Sequence, residues 1–495
     1  MARLSRATLP SVPAPVARPE YDPRAHGVGI VHIGIGAFHR AHQAVYTDAA
    51  LGAHGGNWRI AGVSLRGDAV AEQLNPQDGL YALNVRSAER STYRVIGAID
   101  RAVAARRNPR AVLDALGAPG TKIVSTTVTE KGYCHDPATG TLNAAHPEIR
   151  TELAHPESPA TVLGFLAAAL RERRVRGAAP FTVLCCDNLP HNGAVLRGLV
   201  MQFAELLDTE LGAWIGRHVA FPSTMVDRIT PPTTAADLAG AARDLGVEDR
   251  GLVVTEPFSQ WVIEDRFGTD RPRWEDAGAE LVADVAPYEI AKLRLLNGSH
   301  SALAYLGYLA GYAHVHEAMA DDALAGYVER LMRDEIAPTV AAPPGFDLVR
   351  YQRDLLARFG NPALSHRTWQ IAMDGSQKLP PRLLGTARDR LAAAQPIDGL
   401  ALAVAAWMRY VSGVDERGAS IDVRDPLATK LAALAKPLLG EPRELARALL
   451  GVTEIFGPDL RERGEFTTAV ADAVTELARH GARETLRRLV DRRRP

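Results

Sequence analysis

Lysine, cysteine and long apolar runs are all scarce in this sequence. Only six of its 57 basic residues are lysine, and 58 acidic residues bring the formal net charge to −1. This balance argues against a nucleic acid or an anionic membrane as the main partner, because either would need a dominant basic stripe. No run approaches the roughly 18–20 apolar residues of a membrane-spanning helix, and the first 20 residues lack a signal-peptide core. We therefore expect a cytoplasmic protein.

The three cysteines do not form a recognisable framework. Cys134, Cys185 and Cys186 are an odd number, and two of them are adjacent, so disulfides are not expected in a chain of 495 residues. Neither C-x-x-C nor H-E-x-x-H, two spacings typical of zinc sites, occurs. We therefore expect no bound metal. Any redox chemistry would come from a bound organic cofactor, or else from a metal site without a recognised motif.

Apolar periodicity divides the chain into two parts. The first half alternates short runs rich in Val and Ile with longer amphipathic stretches, the pattern of an α/β domain with a parallel sheet. From about residue 287 onward, helical periods rich in Ala, Leu and Arg follow one another. The sequence thus predicts an N-terminal arm (1–27), an α/β domain (28–285) and a mainly α-helical domain (286–495). Predicted strands cover Val28–Gly34, Arg59–Leu65, Lys122–Val128, Phe181–Cys186 and Arg250–Val254, and predicted helices cover Ala160–Arg174 and Gly193–Leu211.

A Gly-x-Gly pattern follows the first predicted strand. Gly34 and Gly36 precede a helix expected to begin near Phe38. Glycines at this place allow a tight turn and close backbone approach, and the helix N-terminus offers free N–H groups to a pyrophosphate. The usual third glycine is missing, with Arg40 or Ala41 nearby instead, so a purely structural turn is the alternative. We nevertheless predict a dinucleotide site.

The end of the second predicted strand bears on the choice of cofactor. Asp68 is an acidic residue of the type that holds the ribose diol of NAD, whereas Arg66 is of the type that accepts the extra phosphate of NADP. Both are present. We expect NAD, and this stretch alone does not exclude NADP.

A predicted helix over Pro287–His300 carries three polar side chains on one side. At 100° per residue, Lys292, His300 and Asn297 fall at about 0°, 80° and 140°. Burial lowers the pKa of an ammonium, so a lysine in such a wall becomes a general base near neutral pH, which arginine cannot do. Lys292 would then remove the hydroxyl proton of a secondary alcohol as hydride leaves carbon. The alternative is a snorkelling lysine beside a core histidine.

Two amides and an imidazole would assist that reaction. Asn297 and Asn188, the latter just after a predicted strand, could donate hydrogen bonds to the oxygen on which charge develops. His300 would orient the substrate through the same or a neighbouring oxygen. A redox sensor that binds a dinucleotide without turnover is the competing hypothesis, although it would not need this set. A zinc-dependent alcohol dehydrogenase is the mechanistic rival.

Six linked motifs extend from about residue 28 to the C-terminal helices. They are Gly34-x-Gly36-x-Phe38-His39-Arg40-Ala41-His42, Thr127-x-Thr129-Glu130-Lys131-Gly132-Tyr133, Cys186-Asp187-Asn188, Met225-Val226-Asp227-Arg228-Ile229-Thr230-Pro231, Lys292-x4-Asn297-x2-His300 and Asp374-Gly375-Ser376-Gln377-Lys378. Together they resemble the mannitol dehydrogenase family of polyol-specific long-chain dehydrogenases. Three of the six lysines of the chain lie inside these motifs.

The resemblance implies a Rossmann-type N-terminal domain, a helical C-terminal domain and metal-independent hydride transfer. It implies that Lys292 is the acid/base, that Asn188 and Asn297 hold the reacting oxygen and that His300 supports the substrate. It further implies cofactor contacts at the Gly34 motif, including Phe38 and Arg40, substrate contacts by Asp227 and Lys378, and a proton path through Glu130. A monomer is typical of the family.

The resemblance also implies that the substrate is a sugar acid or a polyol. The stretches Trp261–Asp265 and His366–Pro380 are similar to the uronate-reducing members of the family, which implies interconversion of D-fructuronate and D-mannonate. Mannitol-oxidising members tend to have a basic residue in place of Gln370, and mannitol or another polyol is the alternative substrate. A buried substrate carboxylate would need a basic partner. The candidates are Arg228, Arg294, Arg367, Arg382 and Lys378.

Overall fold

The computed structural model describes residues 1–136, 139–343 and 345–491. The chain forms two compact units, Met1–Ala286 and Pro287–Pro495, called here the N-terminal and the C-terminal unit. The predicted N-terminal arm belongs to the first of them, where Leu4, Val12 and Val16 are buried. The exact domain limits given above stay a prediction.

The described part of the N-terminal unit contains three sheets. Their strands are β1 (Val28–Ile33), β2 (Arg59–Ser64), β3 (Tyr81–Arg86), β4 (Ser91–Ile96), β5 (Ile99–Ala104), β6 (Ile123–Thr126), β7 (Thr182–Cys185), β8 (Thr224–Asp227), β9 (Val253–Thr255), β10 (Gln260–Glu264) and β11 (Glu280–Val282).

Most helices of the N-terminal unit lie between strands. They are α1 (Ala37–Ala41), α2 (Gln43–His54), α3 (Ala69–Leu74), α4 (Pro109–Gly117), α5 (Pro147–Ala154), α6 (Val162–Val175), α7 (Asn192–Leu207), α8 (Thr209–His218) and α9 (Ala235–Leu245). Further helices follow as α10 (Ala286–Ala291), α11 (Ser299–Leu309), α12 (Val315–Met319), α13 (Asp322–Arg330), α14 (Leu348–Phe359), α15 (Thr368–Ala372), α16 (Gly375–Leu379), α17 (Gly385–Ala392), α18 (Asp398–Tyr410), α19 (Ala428–Ala435), α20 (Pro442–Leu450), α21 (Thr453–Arg461) and α22 (Gly464–Asp491).

The main sheet has the order β5-β2-β1-β6-β7, and all its strands are parallel. In register, Ile30 of β1 lies between Ile60 of β2 and Ile123 of β6. Helices cover both faces of such a sheet, so its central strands are buried along nearly their whole length, as β1 is from Gly29 to Ile33. From β1 the chain adds β2 and β5 on one side of the sheet and then β6 and β7 on the other side. This reversal of strand order at β1 is the arrangement of a Rossmann-type fold. The predicted fold class is therefore confirmed.

The sheet differs from the predicted strands in two places. The predicted strand at Arg250–Val254 is β9, three residues later at its start, and it pairs with β3 in the separate sheet β4-β3-β9. The edge position of the main sheet belongs instead to β5, which the sequence did not predict. That strand contains Asp100 and Arg101, which reach solvent at the edge, so it lacks a continuous apolar run.

The C-terminal unit is helical. Its central helix α18 is buried along nearly its whole length and packs against α11 and α22. Within the described residues of this unit, three π-helical segments interrupt or extend the helices, at Lys292–Gly298, Leu331–Ile336 and Pro380–Leu384. The predicted single helix through His300 is thus α10, a π segment and α11 in sequence. None of the helices in the described ranges is both long and apolar enough to span a membrane.

Candidate active site

The turn after β1 requires glycine at Gly34. Its φ is +105°, and a Cβ at this position would lie 2.1 Å from the carbonyl oxygen of Thr127. The Gly34 N–H donates to the carbonyl oxygen of Val63 at 2.8 Å, which ties the turn to the end of β2. Only a residue without a side chain fits at this turn, between the end of β2 and the segment that follows β6.

Gly36, in contrast to Gly34, has open space around its Cα. Its backbone is exposed, and a Cβ there would meet no atom closer than 3.8 Å. The protein itself therefore leaves space at Gly36, which is the property required for close approach of a ligand. The residue is also the N-cap of α1, which begins at Ala37, one residue before the predicted start.

A cleft of about 520 Å³ opens at the carboxyl ends of four strands of the main sheet. Ligands bind at this edge of open α/β sheets, where the order of strands changes direction. Gly34 and Gly36 line the cleft, and their contact with a dinucleotide stays a prediction. Its other described lining residues are Ile35, Ser64, Leu65, Arg66, Val70, Ala105, Arg106, Pro109, Thr127, Val128, Gly132, Glu148, Pro159, Ala160 and Thr161.

Three predicted cofactor residues are not among the described residues that line this cleft. Asp68 pairs with Arg107 at 2.5 Å at the start of α3, so its carboxylate is engaged by a neighbouring cation. The Arg40 guanidinium points into the unit and donates to the Gly251 carbonyl oxygen at 2.6 Å. Phe38 stacks on the His42 ring, with centroids 5.1 Å apart.

Arg40 nevertheless contacts the backbone of the Gly34–Gly36 turn. Its Nε donates to the Gly36 carbonyl oxygen at 3.3 Å, and its own carbonyl oxygen accepts the Tyr81 hydroxyl at 2.5 Å. Arg40 thus holds the backbone of the loop in place. Among the described side chains, the cations that line the cleft are Arg66 and Arg106, of which only Arg66 was considered from the sequence.

A buried carboxylate holds the loop after β6. Asp187 accepts hydrogen bonds from the backbone N–H of Val128 at 3.0 Å and of Thr129 at 2.8 Å. Thr129 has a φ of +66°, a strained conformation for a β-branched residue that these bonds stabilise. The next residue, Asn188, is exposed just beyond the end of β7, at the carboxyl edge of the main sheet. The backbone of Glu130 begins a short 3-10 turn, but the Glu130 and Lys131 side chains lie outside the described part of the structure.

Asp227 and Arg228 differ in what surrounds them. Asp227 is the buried last residue of β8 and pairs in register with Gln260 of β10. The Arg228 guanidinium donates to the carbonyl oxygens of Ala41 at 2.6 Å and Glu256 at 3.0 Å. Burial lowers the pKa of Arg228 to about 10. The geometry therefore gives Arg228 a structural part within the N-terminal unit.

Lys292 and Asn297 lie at the two ends of one π turn in the C-terminal unit. Lys292 is 7% exposed and Asn297 is half-buried. The π segment changes their relation, because i→i+5 hydrogen bonding needs more residues per turn than the 3.6 of an α-helix. Two residues five apart are then separated by less than the 140° or so expected from α-helical geometry. The angle around the helix axis between Lys292 and Asn297 is thus smaller than in an α-helix, which places the two residues closer to one side than we predicted.

The π turn packs tightly against a second one. A Cβ on Gly298 would lie 2.7 Å from the carbonyl oxygen of Arg382, in the π segment Pro380–Leu384. The Arg382 Nη1 in turn donates to the Ser301 hydroxyl at 3.1 Å, one residue after His300. Such π turns are rare and occur often at functional sites.

His300 is buried among cationic side chains. Its ring stacks on Phe359 at 4.9 Å and meets His366 edge-on at 5.0 Å. Burial holds the pKa of His300 well below its ordinary value, and electrostatic interactions with His366 and with the cations Arg382, Arg358 and Lys378 add to this effect. His300 is therefore neutral at physiological pH and can donate one hydrogen bond and accept another.

The sequence did not predict two of these neighbours of His300. Arg358 is a buried residue of α14, and His366 lies in the loop before α15. Burial, followed by the charge of Lys378, lowers the pKa of His366 to about 4. His366 begins the stretch His366–Pro380 quoted above, but nothing in that stretch indicates a contact with His300. Arg358 stands in no motif, and its only signal is the position of an arginine on the apolar face of an amphipathic helix.

Similarity to known proteins agrees with this architecture. The model of the mannitol dehydrogenase Rossmann domain matches residues 28–276, and that of the mannitol dehydrogenase C-terminal domain matches residues 284–478. The uncharacterized oxidoreductase YeiQ of Escherichia coli K12 is 47% identical over 97% of this chain and 98% of its own. D-mannonate oxidoreductase of the same organism is 45% identical over 95% of this chain and 97% of its own. The ternary complex of Pseudomonas fluorescens mannitol 2-dehydrogenase with NAD and D-mannitol is 41% identical, covers 99% of both chains and has a TM-score of 0.89.

Proposed function

Because the chain belongs to the mannitol dehydrogenase family, and is thus a dehydrogenase, we propose that it interconverts D-fructuronate and D-mannonate with NAD(H). The observation that carries the choice of substrate is the group of cationic side chains around His300. The 45% identity to a D-mannonate oxidoreductase supports the same choice. Oxidation of mannitol is the second candidate, because the mannitol 2-dehydrogenase complex has a TM-score of 0.89 to this chain.

The glycine loop and the cleft support the choice of cofactor. NAD(H) supplies the hydride acceptor or donor. Gly36 leaves room for a pyrophosphate beside the backbone, and Arg66 and Arg106 supply positive charge to the same cleft. Since Arg107 engages Asp68, the structure offers no direct support for Asp68 as the ribose ligand.

Lys292 carries the proton in the proposed reaction. In the oxidative direction, its neutral amine takes the proton from the substrate hydroxyl while hydride leaves the same carbon. In the reductive direction, the ammonium returns that proton to the developing alkoxide. Asn297, on the same π turn, and Asn188 donate hydrogen bonds to this oxygen as its negative charge grows. Neutral His300 binds a neighbouring substrate oxygen without adding a competing proton donor of low pKa.

A carboxylate substrate explains why so many cations lie near one buried imidazole. A buried carboxylate is costly unless a charged donor meets it, and arginine can do so with two hydrogen bonds. Two of the five sequence candidates are committed elsewhere: Arg228 to backbone carbonyls, and Arg294 to Asp389 at 2.6 Å. Of the other three, Arg367 is exposed, whereas Arg382 and Lys378 act electrostatically on His300, as Arg358 does. We assign the substrate carboxylate to this group.

Substrate comparison tests the proposal. We expect NADH oxidation with D-fructuronate to have a higher kcat/KM than with D-fructose. In Arg382→Gln, loss of a charge-assisted hydrogen bond is expected to lower kcat/KM for fructuronate by about 10–100-fold and to change that for fructose far less. Arg443→Gln, which removes an exposed arginine paired with Asp472, is the matched control. A wild-type preference for fructose would overturn the uronate assignment in favour of the mannitol reaction.

A further inference from the structure

Three potential metal ligands converge at the edge of the cofactor cleft. One donor atom each from Cys134, His146 and Glu148 lies within 4.8 Å of the other two. The Cys134 Sγ and a carboxylate oxygen of Glu148 are 3.9 Å apart. Cys134 follows the 3-10 turn after β6, whereas His146 and Glu148 flank the start of α5. The spacing of these residues matches no zinc motif, so the sequence did not predict the cluster.

The burial of the cluster is graded from inside to outside. Cys134 is 4% exposed, His146 is half-buried and Glu148 is exposed. The His146 Nδ1 is shielded from solvent and has no hydrogen-bond partner. A buried polar atom without a partner is unfavourable and calls for an explanation, and a missing ion is one of the recognised explanations.

We propose that Cys134, His146 and Glu148 bind a Zn²⁺ ion. A thiolate, an imidazole and a carboxylate are the three ligand types that zinc uses in proteins, and a water molecule would complete a tetrahedron. Binding replaces the thiol proton of Cys134, which is released to solvent. The thiolate and the Glu148 carboxylate then balance the two positive charges of the ion.

Binding of zinc would require the ligands to move closer together. In a tetrahedron, zinc bonds of about 2.3 Å to sulfur and about 2.0–2.2 Å to nitrogen or oxygen place two ligand atoms about 3.4–3.7 Å apart. The 3.9 Å between Cys134 and Glu148 is close to this value, and a pair at the 4.8 Å limit of the cluster would have to approach by about 1 Å. The Glu148 side chain can supply this movement because it is exposed, while the buried Cys134 provides a fixed point.

The site is separate from the proposed hydride transfer, which uses Lys292 and no metal. It is nevertheless connected to the cofactor, because Glu148 also lines the cleft of Gly34 and Gly36. Zinc at this point would replace a free carboxylate at the cleft wall by a neutral complex. Zinc and dinucleotide binding would then influence each other, as linkage requires.

Cobalt substitution tests the site in the full-length protein. After removal of metal with a chelator, titration with Co²⁺ is expected to produce a thiolate-to-cobalt charge-transfer absorption that saturates at one ion per chain and disappears when Zn²⁺ is added. Cys134→Ser should abolish this absorption. Cys186→Ala, which removes a buried cysteine outside the cluster, should leave it intact.

A second pair of variants guards against loss of folding. His146→Gln is expected to weaken Co²⁺ binding at least tenfold, with an unchanged circular dichroism spectrum, whereas His155→Gln should not weaken it, because His155 is exposed and lies outside the cluster. Absence of the absorption from the folded wild-type protein would overturn the proposal. So would an absorption that survives Cys134→Ser, or Co²⁺ binding that His146→Gln leaves unchanged.

Discussion

The Tyr133 hydroxyl donates a hydrogen bond of 2.5 Å to the Asp187 carboxylate in the interior of the N-terminal unit. Burial raises the pKa of Tyr133 well above its ordinary value, and the charge of Asp187 adds to this, so the phenol stays protonated. The same carboxylate also accepts the N–H groups of Val128 and Thr129. The hydrogen bond from Tyr133 therefore supports the loop after β6, whose residues Thr127 and Val128 line the same cleft as Gly34 and Gly36.

Tyr133→Phe is expected to destabilise the protein by about 1–3 kcal/mol, because it leaves a buried carboxylate with one donor fewer. The loosened loop should also raise the KM for NADH. Urea denaturation and steady-state kinetics measure the two effects. Tyr93→Phe removes a hydroxyl bonded to Asp244 near the surface and should change both values little. Equal stability of Tyr133→Phe and wild type would contradict the role given to this bond.

Substitutions of Gly34 and Gly36 in the glycine loop should affect different properties, stability in one case and NADH binding in the other. Gly34→Ala forces a Cβ to 2.1 Å from a backbone oxygen in a left-handed conformation, so we expect a large loss of stability. Gly36→Ala meets no atom closer than 3.8 Å and should fold normally, but its methyl group would intrude on the cofactor and weaken NADH binding. Thermal unfolding and fluorescence titration with NADH separate the cases. Normal NADH affinity in Gly36→Ala would show that the pyrophosphate lies elsewhere.

Lys292→Ala is expected to lower kcat by about 100–10,000-fold while NADH still binds, since the general base is lost and the glycine loop is untouched. Lys292→Arg should not restore turnover, because a guanidinium does not give up its proton. Lys430→Ala, at an exposed lysine paired with Glu454, is the control. Retained turnover in Lys292→Ala would mean that another group is the base, and loss of NADH binding would point to a folding role.

Stability should fall in acid partly because of His366. Its pKa is about 4 in the folded chain against about 6.5 in the unfolded chain, so the unfolded chain takes up a proton first as pH falls. The contribution of His366 is fully present above pH 6.5 and is lost between pH 6.5 and 4. The pKa difference of about 2.5 corresponds to about 3 kcal/mol.

His366→Gln, which cannot titrate, is therefore expected to lose less free energy of unfolding than wild type between pH 7 and pH 4.5. Urea denaturation at the two pH values measures this difference. His155→Gln is the matched control, because His155 is exposed and its loss should leave the acid sensitivity unchanged. Parallel losses in His366→Gln and wild type would show that other groups cause the acid sensitivity.

Local pattern was sufficient for the fold class and for part of the candidate site. The apolar runs of β1 and β2 and the glycines after β1 are readable because strand period, tight turns and helix starts depend on neighbouring residues. The same holds for the helical segment with Lys292, Asn297 and His300, although the π turn within it was not foreseen. The polar edge strand β5 escaped prediction because its burial is settled by strands far away in sequence.

The sequence by itself determined the α/β and helical architecture, the glycine loop and the family motifs from which we predict that Lys292 is the acid/base. Only the tertiary structure decided that Arg40 and Arg228 hold backbone carbonyls, that Arg107 engages Asp68, and that Arg358 and His366 lie around His300. Long polar side chains can reach several partners from one position. Which partner they contact depends on packing between segments that are distant in sequence, so a local sequence pattern does not predict it.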